Sequence, residues 1–153
     1  MPTILHSLRV PEALEAEINR ELERRGATEW SAGVLEILNE AIRMVRAPGI
    51  VFVEGRAGRR AAVAHSGLEV WEVVATWKET GESWEALRAA YPELSELQLR
   101  SALTYYQLYP EEIDARLARE AAWTPERVAR ELPFTRPPAK APAKPPKRRR
   151  ASR

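Results

Sequence analysis

A mainly α-helical fold with one short β-hairpin and a disordered basic tail is what this sequence predicts. Three observations predict it. Apolar residues recur at spacings of three and four in successive stretches between Pro11 and Leu132. Residues 49–65 break that pattern, with β-forming residues on both sides of a glycine-bearing turn. Residues 133–153 hold six prolines and eight Lys or Arg without any apolar period, so they cannot bury a core. The segments that follow are 1–47, 48–66, 67–122, 123–132 and 133–153, in a chain long enough for one or two small domains.

Residues 3–10, TILHSLRV, alternate as a half-buried strand does. Ile4, His6, Leu8 and Val10 fall on one side, and Thr3, Leu5, Ser7 and Arg9 on the other. Pro11 opens a helix in which Leu14, Ile18 and Leu22 recur, and Gly26 suits its C-terminal cap. Val34, Leu35, Ile37, Leu38, Ala41, Ile42 and Val45 mark a second helix ending before Pro48. The eight-residue strand has no partner in its own chain. One strand followed by two helices is similar to the ribbon-helix-helix fold of the CopG and Arc type. That resemblance implies a homodimer whose paired strands enter the major groove of operator DNA. Leu5, Ser7 and Arg9 would then face the bases, with Ile4, Leu8 and Val10 in the dimer core. The residues alone also allow a plainer reading, a strand and two helices that only dimerise.

In the hairpin, Ile50 to Val53 and Ala61 to Ala64 are the strands and Gly55-Arg56-Ala57-Gly58 the turn. Arg56, Arg59 and Arg60 cluster near its tip. Arginines grip phosphate without reading sequence, so the cluster suits a backbone clamp. A solvated turn would hold it equally well. No Gly-Lys-Ser/Thr follows the glycines, which excludes a nucleotide phosphate loop.

From Val70 to Leu117, four short helices are separated by clear breaks. The first runs from Val70 to Lys78 and stops at Thr80-Gly81. Ser83 caps the second, which ends before Tyr91-Pro92 because a residue preceding proline is biased away from the α region. Ser95 caps the third, which reaches about Leu108. Pro110 opens the fourth, with Glu111, Glu112 and Asp114 where the helix dipole favours acids. Helix, short break, helix is the outline of a helix-turn-helix. On the third helix, Leu94, Leu99, Ala102, Leu103 and Tyr106 predict the buried face, leaving Glu96, Gln98, Arg100, Ser101, Thr104 and Gln107 outward. In the usual docking the start of that helix meets base edges, where Gln suits adenine and Arg suits guanine. Ser95, Gln98, Arg100 and Thr104 are the candidate contacts. A plain solvated helix face would carry similar residues. Trp71, Trp77 and Trp84 sit on amphipathic helices and are expected in the core.

Four pieces in this order, Gly81-Glu82-Ser83-Trp84, Tyr91-Pro92-Glu93-Leu94-Ser95, Ala102-Leu103-Thr104-Tyr105-Tyr106 and Pro110-Glu111-Glu112-Ile113-Asp114, resemble a small helix-turn-helix family catalogued as domain of unknown function four-thirty-three. Members of that family resemble antitoxins whose toxin is a PIN-type ribonuclease. The resemblance implies an autoregulator whose partners are its operator DNA and a cognate toxin nuclease. Ser66-Gly67-Leu68-Glu69 stands where relatives usually carry Gly-Thr-Arg-Ile, so no contact of that arginine is carried over.

After these helices, Thr124-Pro125 restarts a helix, with Thr124 as cap and Pro125 as first residue, continuing to Pro133. The tail beyond reads as extended, with polyproline character. It allows three roles: salt-dependent affinity for nucleic acid, capture of an acidic partner, or plain solubilisation. PIN-type nucleases resemble one another in a cluster of magnesium-binding carboxylates. Phe134, Lys147, Arg148, Arg149 and Arg150 are therefore the candidate toxin contacts.

Composition limits the rest. Net charge is +2, yet residues 1–132 carry 16 basic and 22 acidic residues. A body of net −6 argues against the broad basic surface of a strong non-specific nucleic-acid binder. There is no cysteine, no stretch apolar enough to span a membrane and no secretory signal, which together predict a cytoplasmic protein. His6 and His65 are too few for a zinc site, and neither GxSxG nor His-Glu-x-x-His occurs. No enzyme, metal or cofactor is expected. A dimeric DNA-binding antitoxin is the leading reading. A stand-alone regulator and an interaction scaffold with a structural helix-turn-helix are its rivals.

Overall fold

The computed structural model describes residues 3–55 and 58–135. The chain divides into two compact units, Met1–Leu117 and Ala118–Arg153. The first begins with helices α1 (Glu12–Arg25) and α2 (Trp30–Arg46), then a hairpin of β1 (Ile50–Gly55) and β2 (Gly58–Val63). Helices α3 (Val70–Glu79), α4 (Trp84–Ala90), α5 (Glu96–Leu108) and α6 (Pro110–Ala121) follow. The second unit holds the end of α6, helix α7 (Pro125–Glu131) and one 3-10 turn, Pro133–Thr135. The mainly α class with one hairpin is thus the architecture of the described residues.

Capping chemistry sets most boundaries. Gly26 ends α1 in the left-handed region at φ 67°, a conformation glycine reaches without steric cost. Ser83 accepts from the Ala86 N–H at the start of α4, and Thr124 accepts from Arg127 N–H at α7, where Pro125 takes the first turn. Ser95 and Gln98 form a reciprocal capping box on α5.

One core gathers the hairpin and α3 to α6. Ile50 pairs with Val63 and Phe52 with Ala61 across the antiparallel ladder, so these four share one face. That face meets Val70, Val73, Val74, Leu87, Leu99 and Tyr105, each at most 1 % exposed. Trp71, Trp77 and Trp84 pack against this core, half-buried.

Thr3 to Val10 forms no strand within the chain, and residues 3–9 are exposed. A lone strand leaves its backbone groups unpaired, and this segment pairs with neither strand of the hairpin. One expectation needs correction, that of Ser101, which the spacing puts outward. It is 6 % exposed, and its Oγ donates to the Leu97 carbonyl at 2.8 Å. Tyr105, one position before the predicted Tyr106, supplies the fully buried ring of α5.

Ser101 is buried because Gly49 lets α5 approach. Gly49 has φ +92°, and a Cβ there would lie 2.6 Å from Ser101 Oγ. Gly49→Ala is expected to cost about 2–3 kcal/mol, from the strained backbone plus the overlap. Urea unfolding of Gly49→Ala with and without Ser101→Ala checks this. The second change should recover only the steric part.

Candidate nucleic-acid interface

The N-terminal candidates lie open to solvent. Leu5 is 93 % exposed, and Ser7 and Arg9 are exposed too. So are Ile4 and Leu8, the residues of the opposite strand face. Neither face of the alternating segment is covered by its own chain.

The hairpin arginines are placed differently. Arg56 lies outside the described residues. Arg59 is mostly buried; its Nε pairs with Glu40 Oε1 at 2.5 Å and its Nη2 donates to the Phe52 carbonyl at 2.8 Å. Glu40 Oε2 takes Arg25 Nη2 at 3.1 Å. The result is a buried Arg25–Glu40–Arg59 triad linking α1, α2 and β2. Arg60 pairs with Glu69 at 3.1 Å. A phosphate would have to displace carboxylates from both guanidinium groups, so Arg59 and Arg60 hold the fold together here instead of standing free as a clamp.

Among the central helices, α3 packs against both α4 and α5, and Tyr91 to Ser95 connect α4 to α5. Gln98 faces the hairpin rather than solvent. Its Nε2 donates to the Ala64 carbonyl at 2.9 Å, and its Oε1 accepts from the Ser95 N–H at 2.9 Å and Ser95 Oγ at 3.0 Å. Its amide is occupied in closing the α5 cap and tying α5 to the end of β2. Arg100 pairs with Glu96 at 2.7 Å and stacks over Trp84, 4.6 Å from the ring centre. Thr104 is exposed and shares a shallow groove with Trp77, Trp84, Arg100, Leu103 and Gln107. Arg100 and Thr104 are thus brought together, while Ser95 and Gln98 are joined at the cap. Nearby, Lys78 bonds Asp114 at 2.6 Å, which holds the Asp114 carboxyl below and the Lys78 ammonium above their usual ranges. Within the second unit, Phe134 is 84 % exposed in the 3-10 turn. Lys147, Arg148, Arg149 and Arg150 lie outside the described residues.

Sequence reasoning missed the part played by Glu40. An acid inside the apolar run from Val34 to Val45 was the available signal, since a buried acid requires partners. It also assigned the whole apolar set of α2 to one pattern. The structure leaves Leu35, Leu38, Ile42 and Val45 exposed. Among the described residues, no group of three or more His, Asp or Glu is disposed to hold a metal, and no helix is long and apolar enough to cross a membrane.

The family described as Protein of unknown function (DUF433) matches residues 50–106, from the start of β1 into α5. The match therefore takes in the hairpin, in keeping with the core it shares with α3 to α5. No curated protein matches the sequence. A solved DUF433 member protein from Anabaena variabilis is similar at 30% identity, with 65% of this chain and 96% of that one covered and a TM-score of 0.40. With that identity over nearly the full length of the Anabaena protein, and with the family match from the hairpin through α3 and α4 into α5, the chain belongs to the DUF433 family.

Proposed function

We propose that this protein is a dimeric, DNA-binding antitoxin and autoregulator that reads its operator through residues 3–10 and neutralises a PIN-type ribonuclease. The observation that carries this reading is the open N-terminal segment. An alternating stretch with both faces in solvent is incomplete as a single chain, and a paired ribbon would use one face for the core and the other for base edges. Leu5, Ser7 and Arg9 are the contacts; Leu5 suits a thymine methyl and Arg9 a guanine. Gln98, Arg59 and Arg60 serve the fold, so the helix-turn-helix contributes at most Ser95, Arg100 and Thr104. The antitoxin role rests on the family resemblance, with the basic tail as the segment that meets the toxin's carboxylates.

Gel-shift titration with the DNA upstream of the gene, at several salt concentrations, is the test. Arg9→Ala is expected to weaken specific binding about tenfold to a hundredfold. Absence of specific retardation by the wild-type protein would remove the DNA-binding role. It would favour the second reading, a protein-interaction scaffold, which the ion-paired arginines and acidic body support. Removal of residues 133–153 is expected to abolish inhibition of a co-expressed toxin, and unchanged inhibition would place toxin contact elsewhere.

A further inference from the structure

We infer that the aromatic groove around Trp84 holds a basic polyproline segment, and that residues 137–148 of this chain's own tail are that segment. Neither operator nor toxin is needed for this contact.

Trp84 is shared by two shallow cavities. One, of about 400 Å³, is also walled by Trp77, Leu103 and Thr104. The other, of about 460 Å³, is walled by Glu85, Arg88, Tyr91 and Pro92. The rings are held in place. The Tyr91 hydroxyl donates to the Glu72 carbonyl at 3.3 Å and lies 2.9 Å from Thr76 Oγ1. Arg100, paired with Glu96, lies over Trp84. Two of the rings also carry unused donors. The indole N–H groups of Trp30 and Trp71 donate to Asn19 and Glu69. Among the described residues, none accepts from those of Trp77 and Trp84. Aromatic walls with open N–H groups suit a ligand that brings bare carbonyls. A polyproline II segment does so, because it makes no internal hydrogen bonds, and aromatic-lined grooves are where such segments dock.

The tail has the matching sequence. Residues 136–153 lie outside the described residues, and they comprise five prolines, eight Lys or Arg and no acid. Pro142-Ala143-Lys144-Pro145 has the Pro-x-x-Pro spacing, with Lys147 and Arg148 just beyond. A helix of about three residues per turn would put both prolines on one edge. Charge selects this occupant over others. Residues 67–117 carry 10 acidic and 4 basic residues, a net of −6. Glu85 lines the groove itself. Glu79, Glu82 and Glu93, exposed as Glu85 is, flank the groove residues in sequence. Such a surface repels nucleic acid and anionic lipid and attracts a cationic ligand. An uncharged apolar helix would leave the acids unanswered.

The test uses the full-length protein. The chain lacks cysteine, so Ala139→Cys takes a single nitroxide beside the motif. The label is expected to broaden the indole N–H resonances of Trp77 and Trp84 beyond detection and to leave that of Trp30 sharp. Pro142→Ala/Pro145→Ala keeps every cation of the tail and alters no groove residue, and it should bring both resonances back. Glu85→Lys, at an exposed position, should do the same. Absence of broadening, equal broadening at Trp30, or broadening that survives either variant would overturn the inference. So would Trp77 and Trp84 resonances that shift only when duplex DNA is added, which would give the groove to nucleic acid. The readout contains neither operator nor toxin, so a failed gel shift leaves it unchanged. A groove that stays empty leaves operator binding through residues 3–10 equally unchanged.

Discussion

Glu40→Ala is expected to destabilise the protein by about 3–5 kcal/mol. Glu40 is 7 % exposed and is bonded by two mostly buried guanidinium groups, Arg25 and Arg59. Removing it takes the shared, mostly buried carboxylate from two mostly buried cations, and their reduced compensation dominates the loss. Arg25 keeps Glu21 at 2.6 Å, and Arg59 keeps the Phe52 carbonyl. Glu40→Gln should therefore be milder than alanine but still costly, because the amide restores shape without charge. The triad is not itself a large source of stability. Arg25 Nη1 is buried without a hydrogen-bond partner, so desolvation is only partly offset. Replacing all three residues with Met or Leu of similar volume is expected to be neutral, or stabilising by about 1–4 kcal/mol. Urea midpoints for the single and triple variants measure both. A single-variant loss below about 1 kcal/mol, the range of exposed pairs, would show that water reaches the triad.

The same triad shows which parts of this fold are legible in the sequence. Boundaries set by local chemistry are readable: Ser83, Ser95 and Thr124 cap where their side chains serve nearby N–H groups, and Gly26 stops α1. The hairpin is readable because its turn and β-formers act within a few residues of one another. What depends on contacts distant in sequence is not readable. Arg59 looks like a free cation until Glu40, 19 positions earlier, is folded against it. Gln98 looks like a base reader until the Ala64 carbonyl arrives beside it. Ser101 looks exposed because nothing local announces that Gly49 will sit above it. Helical periodicity identifies α2 as a helix, but cannot tell which of its faces meets its own chain. Among the candidate contacts, Ser7 and Arg9 are exposed. Arg59 and Arg60 are held by carboxylates, and Ser95 and Gln98 by the α5 cap and the Ala64 carbonyl.

Tyr105→Ala is expected to cost about 3–5 kcal/mol, and Tyr105→Phe about 1–2 kcal/mol. The Tyr105 ring is 0 % exposed and packs edge-on to Phe52 at 6.3 Å and tilted against Tyr109 at 4.9 Å. Alanine leaves a cavity there, whereas phenylalanine fills it. The hydroxyl accepts from Arg43 at 3.0 Å and donates to Glu112 at 3.1 Å. Without it, Arg43 and Glu112 still pair, and both are exposed enough for water to fill in, which keeps the phenylalanine cost low. Burial, and then the Glu112 charge, push the phenol well above its ordinary range near 10. The folded state therefore holds this proton more tightly than the unfolded chain does. Its stabilisation is complete below the unfolded value and is lost as pH climbs above it, because the unfolded tyrosine ionises first. Other groups titrate alike in wild type and Tyr105→Phe, so the stability gap between the two isolates this phenol. Urea midpoints from about pH 8 to 11 should show that gap narrowing once pH passes about 10. A gap that stays level would mean the phenol ionises as freely in the folded protein as in the unfolded chain. The hydroxyl linking α2, α5 and α6 through Arg43 and Glu112 would then be open to water, and the cavity argument for the alanine variant would weaken with it.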